Sequence, residues 1–480
     1  MSADMKTIDQ IAAQLQGYDA QAMTAGDVRD FLSRLVTPVR DVLELPLFDA
    51  LGRVLAADVV SPFDVPPHDN SAMDGFAFAG EELAAALAAS PAALAPEAGG
   101  LARSGPALHA IPPDRALQLQ VVGTALAGKA WQGRVAPGQC VKIMTGAVMP
   151  AGLDTVVPQE FVTLRQEAGS EHITIPAGLL RPGDNRRLRG EDLAQGKPAL
   201  RKGELLTPAR LGLAASLGLK TLPVWRPLRV AYFSTGDEIL SLGEAPREGA
   251  VYDSNRYTVF GLLTRLGCEV IDLGVVPDEP AQLEAAFLDA ARRADAIITS
   301  GGVSVGEADH TKAMMKKLGD VAFWRIAMRP GRPMAVGRIS STELAGSADS
   351  ACAGSYENSS NPAGAVLFGL PGNPVAVMVT FLAFVRPALR QMMGASPEPD
   401  VLLKARSLEP MRKKPGRTEY QRGIVRTAPD GSLQVQTTGA QGSGVLRSMA
   451  EANGLIVLHH AQGNVAVGDE VDVLMFDGAM

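Results

Sequence analysis

Cysteine is scarce in this chain of 480 residues, and its three copies, Cys140, Cys268 and Cys352, lie far apart. No CxxC pair occurs, and the six histidines show no zinc-ligand spacing. A disulfide framework and a thiolate metal site are therefore excluded, and a reduced, cytoplasmic compartment fits best. Any metal held by the protein itself should be a hard cation bound through oxygen. Excess positive charge is also missing. The net charge of −7 argues against a generic nucleic-acid binder, which needs a basic footprint. No uninterrupted apolar stretch reaches the ~20 residues of a membrane span. The richest candidate, 82–95, is broken by Ser90 and Pro91, and the first residues lack a signal-like apolar core. A nucleophile elbow, a Cys–His pair and a P-loop are absent as well.

What remains is a chain able to bury a large core: 46% hydrophobic and 20% charged residues, with 50 glycines and 33 prolines marking many tight turns. Its length suits about three or four domains. Thr24 and Asp27 frame a helix start, and Val28, Phe31, Leu32, Leu35 and Val36 fall on one helical face. Residues 61–80 are turn-rich, and 82–118 read as an Ala/Pro/Gly-rich insertion. Short strand-like runs over 119–165, including Val141–Met144 and Thr155–Val157, predict a small β domain. Over 223–395 the pattern changes to alternating strands and helices, which predicts a doubly wound α/β domain with a mostly parallel sheet. Residues 340–362 read as a flexible insertion. Short β runs return over 400–480 as a C-terminal β module.

In an α/β domain ligands bind beyond the carboxyl ends of the strands. That rule places the loops 234–238, 277–280, 300–309 and 371–374 on one rim. The loop at 300–309, S-G-G-V-S-V-G-E-A-D, follows the apolar run Ala296–Ile298 and precedes a helix over 311–318. Glycines there let backbone N–H groups approach a phosphate closely. Asp237, Glu238, Asp278, Glu307 and Asp309 converge on the same rim as a Mg²⁺ candidate, although helix caps or solvated turn acids account for any one of them alone. Arg325, Arg329 and Arg332 lie in W-R-I-A-M-R-P-G-R-P, a stiff turn offering guanidinium forks to a tetrahedral oxyanion, or a surface loop. Leu370–Pro374 is either a second anion loop or simply a helix-initiating turn. The charge clusters 181–192 and 411–417 are either solvated surface or positive potential over the cleft.

In this order the motifs resemble the molybdopterin molybdenumtransferase family. The strings are P-P-H-D-N-S-A-M-D-G-F-A (66–77), I-M-T-G-A (143–147), R-L-R-G-E-D (187–192), S-T-G-D-E (234–238), S-G-G-V-S-V-G-E-A-D (300–309), R-P-G-R-P (329–333), L-P-G-N-P (370–374), G-R-T-E-Y-Q-R-G (416–423) and S-M-A-E-A-N-G (448–454). They span nearly the whole chain apart from the first ~20 residues and the two insertions.

The resemblance implies four domains. These are an elongated linker (24–60 with 193–222), a β-rich domain (61–192), the α/β molybdopterin-binding domain (223–398) and a C-terminal β-barrel (399–480). It implies a homodimer, with Asp74, Thr145 and Asp192 reaching the partner's cleft. The reaction it implies inserts molybdate into adenylylated molybdopterin and releases AMP with Mg²⁺ as cofactor. Molybdopterin adenylyltransferase would be the substrate donor, and neither nucleic acid nor membrane would be a partner. Glu238, Asp278 and Asp309 would hold Mg²⁺ and position water. Ser300, Gly301, Gly302 and Ser304, with Pro371, Gly372 and Asn373, would cradle the pterin phosphate and the nucleotide. Arg329, Arg332, Pro333, Arg417 and Ser448 would hold molybdate. The chain departs from the family where lysines are common, at Arg325, Arg329 and Arg332, and at Ala376, where a serine is usual. Two other readings are an adenylyltransferase, against which the flanking β domains argue, and a pterin carrier or scaffold without turnover, which would not need the three acids together.

Overall fold

The computed structural model describes residues 6–88, 116–167, 169–176, 178–303, 310–341 and 364–476. They form two compact units. One comprises Asp58–Leu200 with Leu213–Gly218; the other holds the rest of the chain.

The first unit is built on a six-stranded sheet. Its order is Thr155–Pro158, Gly75–Phe78, Gln139–Ile143, Leu117–Ala125, Ser170–Ile175, Thr163–Glu167, and all neighbours are antiparallel except the parallel pair at Gln139–Ile143 and Leu117–Ala125. Apart from the exposed edge strand Thr163–Glu167, each face carries its own core, and alternate residues of a strand feed opposite ones. Phe76, Phe78, Cys140 and Val157 fill one face; Ala77, Val141, Ile143 and Val156 fill the other. The segment read as a loose insertion begins instead with a helix, Glu81–Ala88, EELAAALA. Alanine and leucine are strong helix formers, and here that propensity prevails. Residues 89–115 lie outside the description.

The second unit centres on a six-stranded sheet. Its strands are β1 (Arg229–Thr235), β2 (Glu269–Val276), β3 (Ala296–Ser300), β4 (Gly319–Arg325), β5 (Pro333–Ile339) and β6 (Ala365–Leu370), in the order β2-β1-β3-β6-β5-β4. The first four positions are parallel, while β5 runs antiparallel to both β6 and β4. The expected doubly wound sheet is therefore present, closed at one edge by a hairpin. In β1, Val230 and Tyr232 face one core while Ala231 and Phe233 face the other. The first core receives α1 (Ala25–Leu35), α2 (Ser254–Arg265) and α5, a helix over Pro374–Met392 with a π turn at Phe381–Val385. The second receives α3 (Pro280–Arg293) and α4 (His310–Leu318).

Thr24 and Asp27 close a capping box at the start of α1. That fixes where its apolar face begins, and Phe31 packs edge-on against Trp324 at 4.9 Å between ring centroids. Full burial of a phenylalanine contributes roughly 1.5–3 kcal/mol. By length and composition α5 is apolar enough to cross a membrane, but 83% of its apolar window is buried in this core.

The C-terminal strands are β7 (Leu403–Ser407), β8 (Thr418–Thr427), β9 (Leu433–Thr437), β10 (Gly454–Leu458) and β11 (Glu470–Met475). They pair in the ring β8-β9-β7-β11-β10 and back to β8, a closed five-stranded barrel. A short pairing of Met328–Arg329 with Thr418–Glu419 ties the turn before β5 to the barrel.

Candidate functional site

The strand directions decide what meets on the rim. β1, β2, β3 and β6 all end there. β4 is antiparallel to β5, which is antiparallel to β6, so the 326–332 turn between β4 and β5 opens on the same edge. The order β2-β1-β3 makes the space between the ends of β1 and β3 a topological switch point, where α/β sheets hold ligands. A cavity of about 1430 Å³ lies on this edge.

Its walls hold most of the residues singled out in the sequence. Glu238, Asp278, Ser300, Gly301, Gly302, Arg329, Arg332, Pro333, Pro371, Gly372 and Asn373 all line it. Gly301 and Gly302 have φ of 96° and 63°, in the left-handed region that favours glycine. A Cβ at Gly301 would lie 2.3 Å from the Thr235 carbonyl, so the turn depends on its absence. The Gly301 N–H donates to Leu370 O at 3.2 Å, which sets this turn beside the 371–373 loop. Beneath it, the hydroxyls of Tyr232, Ser234 and Ser300 form a buried triad, with Tyr232 Oη 2.8 Å from Ser234 Oγ and 2.7 Å from Ser300 Oγ. Burial pushes the Tyr232 phenol up, so it stays protonated.

The same walls include Arg329 and Arg332, on the turn before β5. Both are exposed, and among the described residues neither has a carboxylate within ion-pair distance. Gly331 (φ 91°) packs against Thr380 of α5, and the Ile326 N–H donates to Arg332 O at 2.8 Å. The turn is thus pinned while its two guanidinium groups stay available to an oxyanion. Ala376 puts a methyl group on the same wall.

Arg417 and Ser448 are placed differently. Arg417 pairs with Glu419, Nη2 to Oε1 at 2.7 Å, and Glu419 is buried. The Ser448 hydroxyl is buried too; it accepts from Arg422 Nε at 2.9 Å and donates to Val445 O at 2.6 Å. Neither side chain is in the wall of the main cavity. Ser304 and Asp309 lie outside the described residues, as do Glu307 and Cys352.

In the other unit, Asp74 Oδ1 accepts from the backbone N–H and the hydroxyl of Thr145, both at 2.7 Å. Those donors, the backbone one first, hold the Asp74 carboxyl below its ordinary range. Asp192 is exposed, and its N–H donates to Val65 O. The 181–192 cluster is largely solvated surface, with three of its four arginines paired to carboxylates. Arg186 pairs with Asp69, Arg187 with Glu191 and Arg189 with Asp64. The 411–417 run is not uniformly solvated. Lys413 is buried, its ammonium donating to Lys414 O and Gln462 O, and burial lowers its pKa.

Several wall residues were not anticipated from the sequence. Asp253 caps α2, and Asn255 Nδ2 donates to Gly372 O at 2.7 Å, anchoring the 371–373 loop. A loop from the barrel, with Gln441, Gly442, Ser443 and Gly444, forms another wall. It hangs on Arg422, which is only 1% exposed and donates to the carbonyls of Ala440, Gln441 and Gly442. The signals were present: a strand-to-helix step at V-Y-D-S-N and a glycine-rich Q-G-S-G.

Three family models match in tandem: "MoeA N-terminal region (domain I and II)" over residues 23–218, "Probable molybdopterin binding domain" over 231–391, and "MoeA C-terminal region (domain IV)" over 404–476. The class is therefore a multidomain protein built around a molybdopterin-binding α/β domain. Among solved structures, a molybdopterin biosynthesis moeA protein from Pyrococcus horikoshii OT3 superposes with a TM-score of 0.70 at 25% identity, covering 95% of this chain and 100% of that one. The molybdopterin molybdenumtransferase of Haemophilus influenzae is 37% identical over 434 residues, 90% of this chain and 93% of its own length. That of Nostoc is 33% identical over 91% of this chain and 89% of its own. The chain belongs to the molybdopterin molybdenumtransferase family.

Proposed function

We propose that this protein inserts molybdate into adenylylated molybdopterin, releasing AMP in a Mg²⁺-dependent reaction. One observation carries the reading. A single cavity is lined by Arg329 and Arg332, which have no carboxylate partner among the described residues, and by Glu238, Asp278 and the Gly301–Gly302 turn. A dianion and a pyrophosphate-bearing pterin need opposite kinds of wall, and the cavity offers both.

The residues fit Mg²⁺. Among the described residues no three His, Cys, Asp or Glu side chains cluster as a ready metal cage. Mg²⁺ needs none, since it is commonly held by one or two carboxylates, waters and substrate phosphates. Glu238 and Asp278 supply hard oxygen donors on one wall, with Asp309 expected to join them. Bound there, Mg²⁺ would neutralise charge at the pyrophosphate. The Gly301–Gly302 turn binds the pterin phosphate through backbone N–H groups, and the 371–373 loop bounds the nucleotide. Arg329 and Arg332 hold molybdate by charge-assisted hydrogen bonds. A carboxylate on the acidic wall orients the water whose oxygen adds to phosphorus as the P–O–P bond breaks and AMP leaves. The molybdenum ligands come from the pterin dithiolene, so no cysteine cluster is required. The proposal extends to a cytoplasmic homodimer supplied by molybdopterin adenylyltransferase.

A carrier without turnover is the second reading. It is favoured by the methyl of Ala376 on the cavity wall and by the internal engagement of Arg417 and Ser448. The experiment that separates them is AMP release from adenylylated molybdopterin with Mg²⁺, with and without micromolar molybdate. Molybdate-dependent release is expected; binding without release at every molybdate level would establish the carrier.

A further inference from the structure

Thr311, at the start of α4, is completely buried beneath the cavity. Its Oγ1 lies 3.0 Å from Asp278 Oδ1 and 3.3 Å from Thr235 Oγ1. A carboxylate only accepts, so the single Thr311 proton goes to Asp278, and Thr235 must be the donor to Thr311. The chain of hydrogen bonds therefore runs in one direction, Thr235 to Thr311 to Asp278. The rest of the same side chain abuts the glycine turn. A Cβ added to Gly302 would lie 2.5 Å from both Cβ and Cγ2 of Thr311. Gly301 meets the carbonyl of Thr235, the other threonine of the pair.

We infer that Thr311 is a positioning residue that couples the phosphate-binding turn to the metal-binding carboxylate: its hydroxyl orients Asp278 while its carbon atoms brace Gly302. The inference rests on the function proposed above. Asp278 is half-buried at the end of β2, and the Thr311 hydroxyl is the one side-chain hydrogen-bond donor to it among the described residues. With Oδ1 held by a neutral donor, Oδ2 has no side-chain donor among the described residues, and Asp278 lines the cavity where a cation would bind. Without that donor it is free to rotate about its side-chain torsions, and a metal would have to order it on binding.

Because the two roles use different atoms, two substitutions separate them. Thr311→Val keeps the shape and deletes the hydroxyl. Thr311→Ser keeps the hydroxyl and deletes the methyl. The direct readout is Mn²⁺ binding to the full chain, followed by electron paramagnetic resonance as a probe of the Mg²⁺ site. Thr311→Val is expected to weaken Mn²⁺ binding about tenfold, the size of one lost ligand-orienting contact. Thr311→Ser should stay within about twofold of the unsubstituted protein. In AMP release, Thr311→Val should raise the half-saturating Mg²⁺ by a similar factor and leave the KM for adenylylated pterin nearly unchanged. Circular dichroism confirms that each variant is folded. Unchanged Mn²⁺ binding in Thr311→Val overturns the inference, and so does a loss in Thr311→Ser as large as in Thr311→Val. If the unsubstituted protein binds Mn²⁺ but never releases AMP, the proposed reaction fails, and the Mn²⁺ comparison still decides the role of Thr311.

Discussion

The guanidinium of Arg422 donates through Nε to the hydroxyl of Ser448 at 2.9 Å, on the outer face of the barrel strand β8 and out of contact with solvent. Burial lowers the Arg422 pKa to about 10, with Arg329 nearby adding to the effect, so it remains cationic at neutral pH. No carboxylate within ion-pair distance neutralises it among the described residues; its counterparts are carbonyl oxygens at 440–442 and one hydroxyl. Arg422 therefore holds a wall of the cavity by hydrogen bonds alone.

Arg422→Leu should leave three carbonyls and the Ser448 hydroxyl without their donor. Breaking such a buried network costs about 2–4 kcal/mol. The expected result is a lower denaturation midpoint together with a looser 440–444 loop, read as faster amide exchange at Gly442 and Gly444. An unchanged midpoint would show that the loop holds itself.

Gly301→Ala puts a methyl group 2.3 Å from the Thr235 carbonyl at a φ of 96°. Residues other than glycine are strained there, by roughly 1–3 kcal/mol. Binding of the adenylylated pterin, measured by calorimetry, should weaken about tenfold or more. Far-UV circular dichroism should remain close to that of the unsubstituted chain, because the strain is confined to one turn.

Asp278→Ala removes a carboxylate from the acidic wall but none of the phosphate-binding backbone. Substrate binding should persist while AMP release falls by about 10²-fold, the lower end of what a positioned acid or base contributes. Undiminished turnover would remove Asp278 from the metal and water roles.

Thr145→Val tests the pair in the β-rich unit. The Thr145 N–H and hydroxyl both favour ionised Asp74, so its folded pKa lies below the ordinary value of 3.8. The stability that this linkage contributes is present above the unfolded value and is lost as pH falls through the folded one. With the hydroxyl gone, the Asp74 pKa should rise part of the way to 3.8 in a carboxyl NMR titration, since the backbone donor remains. The difference in Tm between the two proteins should be constant at neutral pH and disappear in acid.

Much of the architecture was legible along the chain. α1 begins at Thr24 because Thr and Asp three residues apart satisfy its first N–H groups. The strands β1, β3 and β6 were visible as short apolar runs, since a sheet covered on both faces needs no polar alternation. Helix Glu81–Ala88 was not, because surrounding prolines and glycines hid a local run of good helix formers. Lys413 was read as part of a charged run, yet it is buried and bonded to carbonyls, a pairing that only a folded neighbour at Gln462 supplies.

By itself the sequence determined the order of elements, the glycine turn at 301–302, the acids and arginines of the cavity, and the family. These are local matters of propensity, turn geometry and residue chemistry. Only the tertiary structure decided which of those side chains face the cavity and which turn inward. Among the described residues Arg329 and Arg332 have no carboxylate within ion-pair distance, whereas Arg417, in the bend just before β8, pairs with the buried Glu419 two residues on. The roles of Thr311 and Arg422 also come from the fold alone. Each depends on atoms brought together from distant parts of the chain, and burial then makes every unpaired donor or acceptor costly enough to fix the arrangement.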